Sequence, residues 1–178
     1  MRRIALISVL LASVAFGQQP RLASKLAPYV ASPSRVVEMM LEMARLKPGE
    51  VLFDLGSGDG RILVAAAERR AQATGVEINP KLVIAATEEI ARAGLSERAK
   101  VIQGDVMQTD FSAANVVTIY MDTASNAKLR PQLEKYLKPG SRVVSHDYEI
   151  PGWKPVLVQK TDERQPHTIY LYEIGAKK

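Results

Sequence analysis

The sequence predicts a doubly wound α/β fold: a mostly parallel seven-stranded sheet closed at one edge by a C-terminal antiparallel hairpin. Three observations predict it. Short strand-like runs, the first of them apolar, alternate with helical stretches after position 33. A glycine cluster follows the first such run without a gap. The last two runs are joined by a short polar turn, with no helix between them. Strand–helix alternation calls for right-handed crossovers that place helices on both faces.

The elements follow in order. Ser32-Pro33 starts a helix, because Pro is preorganised for a first helical turn. Val36, Val37, Met40, Leu41 and Ala44 recur at helical spacing, and Lys47-Pro48-Gly49 breaks the pattern. Residues 51–55 form a buried strand that opens into Gly56-Ser57-Gly58-Asp59-Gly60, and residues 61–70 form the next helix. Residues 73–77 read as a strand. Asn79-Pro80 caps a helix over 81–93 with Leu82, Ala86 and Ile90 on one face, and Gly94 ends it. Residues 100–103 and the β-branched 115–120 are the third and fourth strands. Residues 126–137 are helical up to Lys138-Pro139-Gly140, and 141–145 are the fifth strand. Residues 156–159 and 168–174 make the hairpin.

With 178 residues, 47% of them hydrophobic and 24% charged, the chain suits one globular domain over 33–178, with 18–32 as a leading segment. There is no cysteine, which excludes disulfides, thiolate metal sites and cysteine nucleophiles. The two histidines, His146 and His167, show no metal-ligand spacing, and no metal is expected. Arg2 and Arg3 precede a 14-residue apolar run, Ile4–Gly17, too short to span a bilayer. Basic start, apolar run and small residues fit a signal over 1–17 cleaved near Gln18, or a membrane-associating segment over 4–17. The expected location is therefore exported or membrane-associated, or cytoplasmic if the segment is not a working signal. Removing Arg2 and Arg3 with such a leader lowers the formal charge from +5 to +3. The remaining basic residues are dispersed among acids, which gives no nucleic-acid groove.

The strongest chemical signal is Asp54-Leu55-Gly56-Ser57-Gly58-Asp59-Gly60. Glycines at the end of a first strand allow a tight turn and close approach of a ligand in a Rossmann-like fold. Glu77, 23 positions after Asp54, falls at the end of the second strand, where a carboxylate can accept from ribose hydroxyls. Asp105, in Gly104-Asp105, follows the third strand and can meet an adenine edge. A dinucleotide fingerprint needs a glycine where Arg61 stands, and Asp54 and Asp59 would repel a pyrophosphate. S-adenosyl-L-methionine, with a sulfonium, an ammonium, a ribose and an adenine, fits these acids better.

DLGSGDG, then VEIN, then GD at the next strand end resemble the class I S-adenosylmethionine-dependent methyltransferases over most of residues 33–174. PYVASPSRVVEMM, LRPQLEKYLKPGSRVVSHDYEIPGW and HTIYLY further resemble small protein-lysine methyltransferases whose eukaryotic members act on the ATP synthase c-subunit and the adenine nucleotide translocase. The resemblance implies that Asp54, Gly56, Ser57, Gly58 and Asp59 hold the methionine end. Glu77 would then serve the ribose and Asp105 the adenine, Asn79 would be a further cofactor contact, and Tyr29 and Ser32 would lie in a segment folded over the cofactor. The methyl acceptor it implies is a protein lysine. At the fourth strand end, Tyr120-Met121-Asp122-Thr123 departs from the apolar, proline-containing stretch expected there.

Methyl transfer is an in-line displacement that needs alignment, exclusion of water and a neutral amine. The candidates for that work are Tyr120 and Asp122 after the fourth strand, and His146 and Asp147 after the fifth. His146 is either a proton acceptor or a hydrogen-bonded strand-end histidine. Tyr120 is either a pocket wall or a packing aromatic. Rival readings are a methyltransferase for a small metabolite and a cofactor-binding protein without turnover.

Overall fold

The computed structural model describes residues 29–162 and 164–175. The expected signal segment and most of the leading segment lie outside the described residues.

One seven-stranded sheet organises the chain, in the order β3-β2-β1-β4-β5-β7-β6. Its strands are β1 (Val51–Leu55), β2 (Gln72–Glu77), β3 (Ala99–Gln103), β4 (Val116–Ile119), β5 (Arg142–His146), β6 (Leu157–Lys160) and β7 (Thr168–Glu173). The first five run parallel. β7 pairs antiparallel with β5, with His146 opposite Ile169, and β6 pairs antiparallel with β7 at the edge. The last strand is thus inserted beside β5, while the earlier hairpin strand lies outside it.

The helices are α1 (Ser34–Met43), α2 (Arg61–Glu68), α3 (Pro80–Arg92) and α4 (Thr123–Tyr136). Their apolar stripes cover the two sheet faces. Val36, Met40 and Leu41 of α1, Leu63 and Ala66 of α2 and Ile90 of α3 pack with Leu52 and Val144 on one face. Leu129 and Leu133 of α4 pack with Leu55, Phe111, Val143, Ile150 and Tyr172 on the other. Adjacent strand residues such as Val143 and Val144 go to opposite faces, as the two-residue strand period requires.

Two helix starts shape the functional end of the sheet. Asn79 caps α3 as expected, its side-chain oxygen accepting from the Lys81 N–H at 3.1 Å, with Pro80 at the first position. α4 begins at Thr123 rather than at 126, because Asp122 caps it by accepting from the Ser125 N–H at 2.7 Å. β1 and β4 both end at this rim. The reversal of strand order beside β1 opens the crevice in which sheets of this type bind ligands.

Candidate cofactor cleft and the histidine cluster behind it

A cleft of about 980 Å³, measured out to its open mouth, lies at the carboxyl ends of β1, β2, β3 and β4. Asp54, Gly56–Asp59, Glu77, Asn79 and Asp105 line it, together with Tyr29, Ser32, Arg61, Tyr120 and Met121. All ten residues that the sequence assigns to a cofactor therefore face one cavity.

The turn after β1 works only with glycine at its key positions. Gly56, Gly58 and Gly60 all have positive φ. A Cβ on Gly58 would stand 2.2 Å from the Tyr29 ring, so the bare backbone is what lets residue 29 close over the loop. Gly75, in the middle of β2, carries no signal of its own in the sequence. A Cβ there would stand 2.4 Å from Ser57 Oγ and 2.6 Å from Leu63 Cδ1, so β2 makes room for the loop and the first turn of α2.

Loop amides are largely committed within the protein. Gly56 and Ser57 donate to the Val76 carbonyl, Gly60 to that of Ser57, and Gly58 to Glu77 Oε2 at 2.9 Å. Glu77 Oε1 accepts from the Asn79 N–H at 2.8 Å. The carboxylate expected to meet a ribose thus also fixes the loop, leaving its remaining lone pairs for a ligand. Asp105 Oδ1 accepts from the Met107 N–H at 2.9 Å and holds its own turn in the same way.

Asp54 is 3% exposed and accepts from the Thr118 hydroxyl at 2.7 Å. Burial pushes its carboxyl up to about 7; the Thr118 hydroxyl opposes the rise, and the charges of Glu77 and Asp59 add to it. Asp59 is held low by Arg61, whose guanidinium reaches both carboxylate oxygens. Arg61 also donates to the Ser32 carbonyl at 2.7 Å, clamping the segment 29–32 to the loop. In the sequence Arg61 is visible only as the residue that spoils a dinucleotide fingerprint. Its reach across 29 residues carries no local sequence signal.

The donor set fits S-adenosyl-L-methionine. Four carboxylates open onto the cleft, and its one cationic side chain, Arg61, is already neutralised by Asp59. Such a cleft favours a ligand bearing a sulfonium and an ammonium over an anionic nucleotide.

The proposed catalytic group divides. Tyr120 stands at the cleft wall and stacks on His146 with ring centroids 3.8 Å apart. Its hydroxyl donates to Asp147 Oδ2 at 3.3 Å, and burial together with the Asp147 charge pushes its pKa up to about 12. His146 and Asp147 lie behind Tyr120 and do not line the cleft. His146 is fully buried, and desolvation pushes its pKa well down, so it is a neutral imidazole at neutral pH. Burial acts to raise Asp147, yet the bonds from His167 and the Thr168 N–H hold its carboxyl below the ordinary range. Asp122 stays out of the cleft altogether, its carboxylate occupied with capping α4. His167, which the sequence places only at a strand start, joins His146 and Asp147. The antiparallel pairing of β5 with β7 folds out the 21 residues between the histidines.

Strand order, glycine turn and acidic strand ends together define an S-adenosylmethionine-dependent methyltransferase. Residues 54–157 match the model of the ANTKMT methyltransferase domain, and the chain belongs to that family. A protein-lysine N-methyltransferase of Saccharolobus islandicus (strain REY15A) is 45% identical over 85% of this chain and 96% of its own length. The adenine nucleotide translocase lysine N-methyltransferase of Mus musculus is 36% identical over 74% of this chain, a match that spans 57% of that protein. A crystal structure described as an RNA methyltransferase from Salinibacter ruber in complex with S-adenosyl-L-homocysteine superposes with a TM-score of 0.79. It is 40% identical, covering 84% of this chain and 96% of that one.

Proposed function

We propose that this methyltransferase transfers the methyl group to the ε-amine of a lysine in a protein. The observation that carries this reading is the wall of the cleft beyond the glycine loop. There Tyr120 and Met121 from the end of β4 line the same cleft as Tyr29 and Val30, the last two exposed at 48% and 58%. An aromatic and apolar rim suits the alkyl stem of a projecting lysine, and ring faces attract its ammonium as it enters. Among the described residues every helix and strand belongs to the sheet layers, so a large substrate is met only by short loops. The similarity to the Saccharolobus islandicus protein-lysine N-methyltransferase over nearly its whole length supports the same acceptor.

The cofactor supplies an already activated methyl group. The chain supplies position and desolvation. Tyr120 keeps its proton at any working pH, donates it to Asp147 and leaves its oxygen lone pairs free to orient an incoming amine. Burial of the lysine stem between Tyr29 and Tyr120 lowers the ammonium pKa, which favours the neutral nucleophile. Labelled cofactor incubated with a cell lysate tests the acceptor. The label is expected in material that protease destroys and nuclease leaves intact. Label that nuclease releases would replace this reading with an RNA acceptor, the substrate in the description of the Salinibacter ruber structure. Label confined to small molecules would replace it with a metabolite acceptor.

A further inference from the structure

Three lone-pair atoms meet behind the cleft wall: His146 Nε2, His167 Nδ1 and Asp147 Oδ2. The two imidazole nitrogens are 2.9 Å apart, His167 Nδ1 is 2.9 Å from the carboxylate oxygen, and His146 Nε2 is 3.3 Å from it. A closed triangle of this size is poorly served by hydrogen bonds alone. Each ring nitrogen directs one proton or one lone pair along its own axis, so the three edges cannot all be bonded at once. Oδ2 is crowded as well, because the Tyr120 hydroxyl also reaches it.

A cation resolves the triangle. Ligand atoms bound at about 2.0–2.1 Å lie about 2.9 Å apart at right angles and about 3.4 Å apart at the tetrahedral angle, which brackets the spacings seen here. An ion at that distance from all three atoms would stand about 1 Å off their plane. We propose that His146, Asp147 and His167 form a binding site for one divalent transition-metal ion of the Zn2+ type.

The surroundings are those of a built site. His146 Nδ1 lies 2.9 Å from Ser32 Oγ, a buried partner that fixes the ring and leaves Nε2 for the ion. Asp147 Oδ1 accepts from the Thr168 N–H at 2.8 Å, so the carboxylate presents Oδ2 alone. The Asp147 backbone is held at φ +60, a left-handed conformation uncommon for a residue with a side chain, and its N–H donates to the Thr168 carbonyl. The His167 N–H donates to Thr161 Oγ1 at 2.9 Å, fixing the third ligand. His146 is sealed from solvent, while the side chains of Asp147 and His167 are 24% and 25% exposed, so the cluster runs from the interior to the surface. Two imidazoles and one carboxylate suit Zn2+, Co2+ or Ni2+ and not Mg2+ or Ca2+, which take oxygen ligands. Such an ion would tie the end of β5 to the start of β7 and, through Ser32, to the segment beside the cofactor cleft.

The test uses the full chain stripped with a chelator, and it needs no catalysis. Titration with Zn2+ is expected to show one ion per chain with a Kd tighter than about 10 μM. Titration with Co2+ is expected to give visible absorption bands of a nitrogen–oxygen site. His167→Ala should weaken Zn2+ binding by at least about 100-fold, and Ser32→Ala by about 10-fold. Asp147→Asn should abolish the Co2+ bands. Binding of S-adenosyl-L-homocysteine by His167→Ala, expected unchanged, reports that the variant is folded and separates this site from the cofactor cleft. Failure of the stripped wild-type chain to bind Zn2+ or Co2+ overturns the proposal. Equal binding by wild type, His167→Ala and Asp147→Asn also overturns it, because the ion would then be held elsewhere.

Discussion

Replacing Asp54 with Asn should remove most of the pH dependence of cofactor binding. Burial holds the Asp54 carboxyl near 7, against an ordinary 3.8, so much of the free protein carries this group protonated at neutral pH. A bound sulfonium and ammonium favour the carboxylate, and binding therefore expels a proton. The sign follows directly. Below about pH 7 the proton must be removed before the ion pair forms, so affinity rises with pH by up to about tenfold per unit and levels off above about 7. Full return of the group to its ordinary value is a change of about 3 pKa units, or about 4 kcal/mol at about 1.4 kcal/mol per unit. That is an upper limit, because the burial of Asp54 and the charges of Glu77 and Asp59 remain in place and continue to hold its pKa up. Calorimetry with S-adenosyl-L-homocysteine and S-adenosyl-L-methionine between about pH 5 and pH 8, in buffers of different ionisation heat, measures both the affinity and the proton released. Thr118→Val, which removes the opposing hydrogen bond, should move the plateau to higher pH. An affinity flat between pH 5 and pH 7, or an equal slope in Asp54→Asn, would refute the reasoning.

Folding stability of the ligand-free chain should depend on the same group with the opposite sense. The native state holds the Asp54 proton between about pH 4 and pH 7 while the unfolded state does not, so this contribution falls as pH rises through that window; urea melts across it, compared with Asp54→Asn, check the slope. Gly75→Ala should destabilise by about 1–3 kcal/mol, since its Cβ meets Ser57 and Leu63 well inside contact distance, and denaturant titration reads the loss. Arg61→Ala should cost at most about 1 kcal/mol of global stability because the pair with Asp59 is partly exposed, yet it should hasten limited proteolysis around residues 29–33 by releasing Ser32. Tyr120→Phe should lower kcat about tenfold with cofactor affinity unchanged, because only the hydroxyl's bond to Asp147 and its free lone pairs are lost.

Signals confined to one segment were legible in the sequence. Short apolar and β-branched runs, helical spacing and Gly/Pro breaks located every described strand and helix to within a few residues, and Asn79-Pro80 marked its helix start correctly. Asp54, Glu77 and Asp105 could be brought together from the sequence because each stands at or just beyond the carboxyl end of a strand, and parallel neighbours present the same end to the same side. Contacts that depend on register across the sheet were not legible. Gly75 looked like any strand glycine until Ser57 and Leu63 stood over it. Asp122 looked like a carboxylate at a strand end, but one turn of α4 claimed it as a cap. His167 lay 21 residues from His146 in sequence and 2.9 Å from it in space, because β7 inserts next to β5.

A crystal structure of the chain with S-adenosyl-L-homocysteine would bear most directly on the convergence of loop and acids. The nucleoside is predicted to lie across Gly56–Gly58, its ribose hydroxyls on Glu77 and its adenine beside Asp105, with the amino-acid end toward Asp54 and Tyr29. A ligand seated elsewhere, or one whose ribose and adenine touch neither carboxylate, would contradict that arrangement.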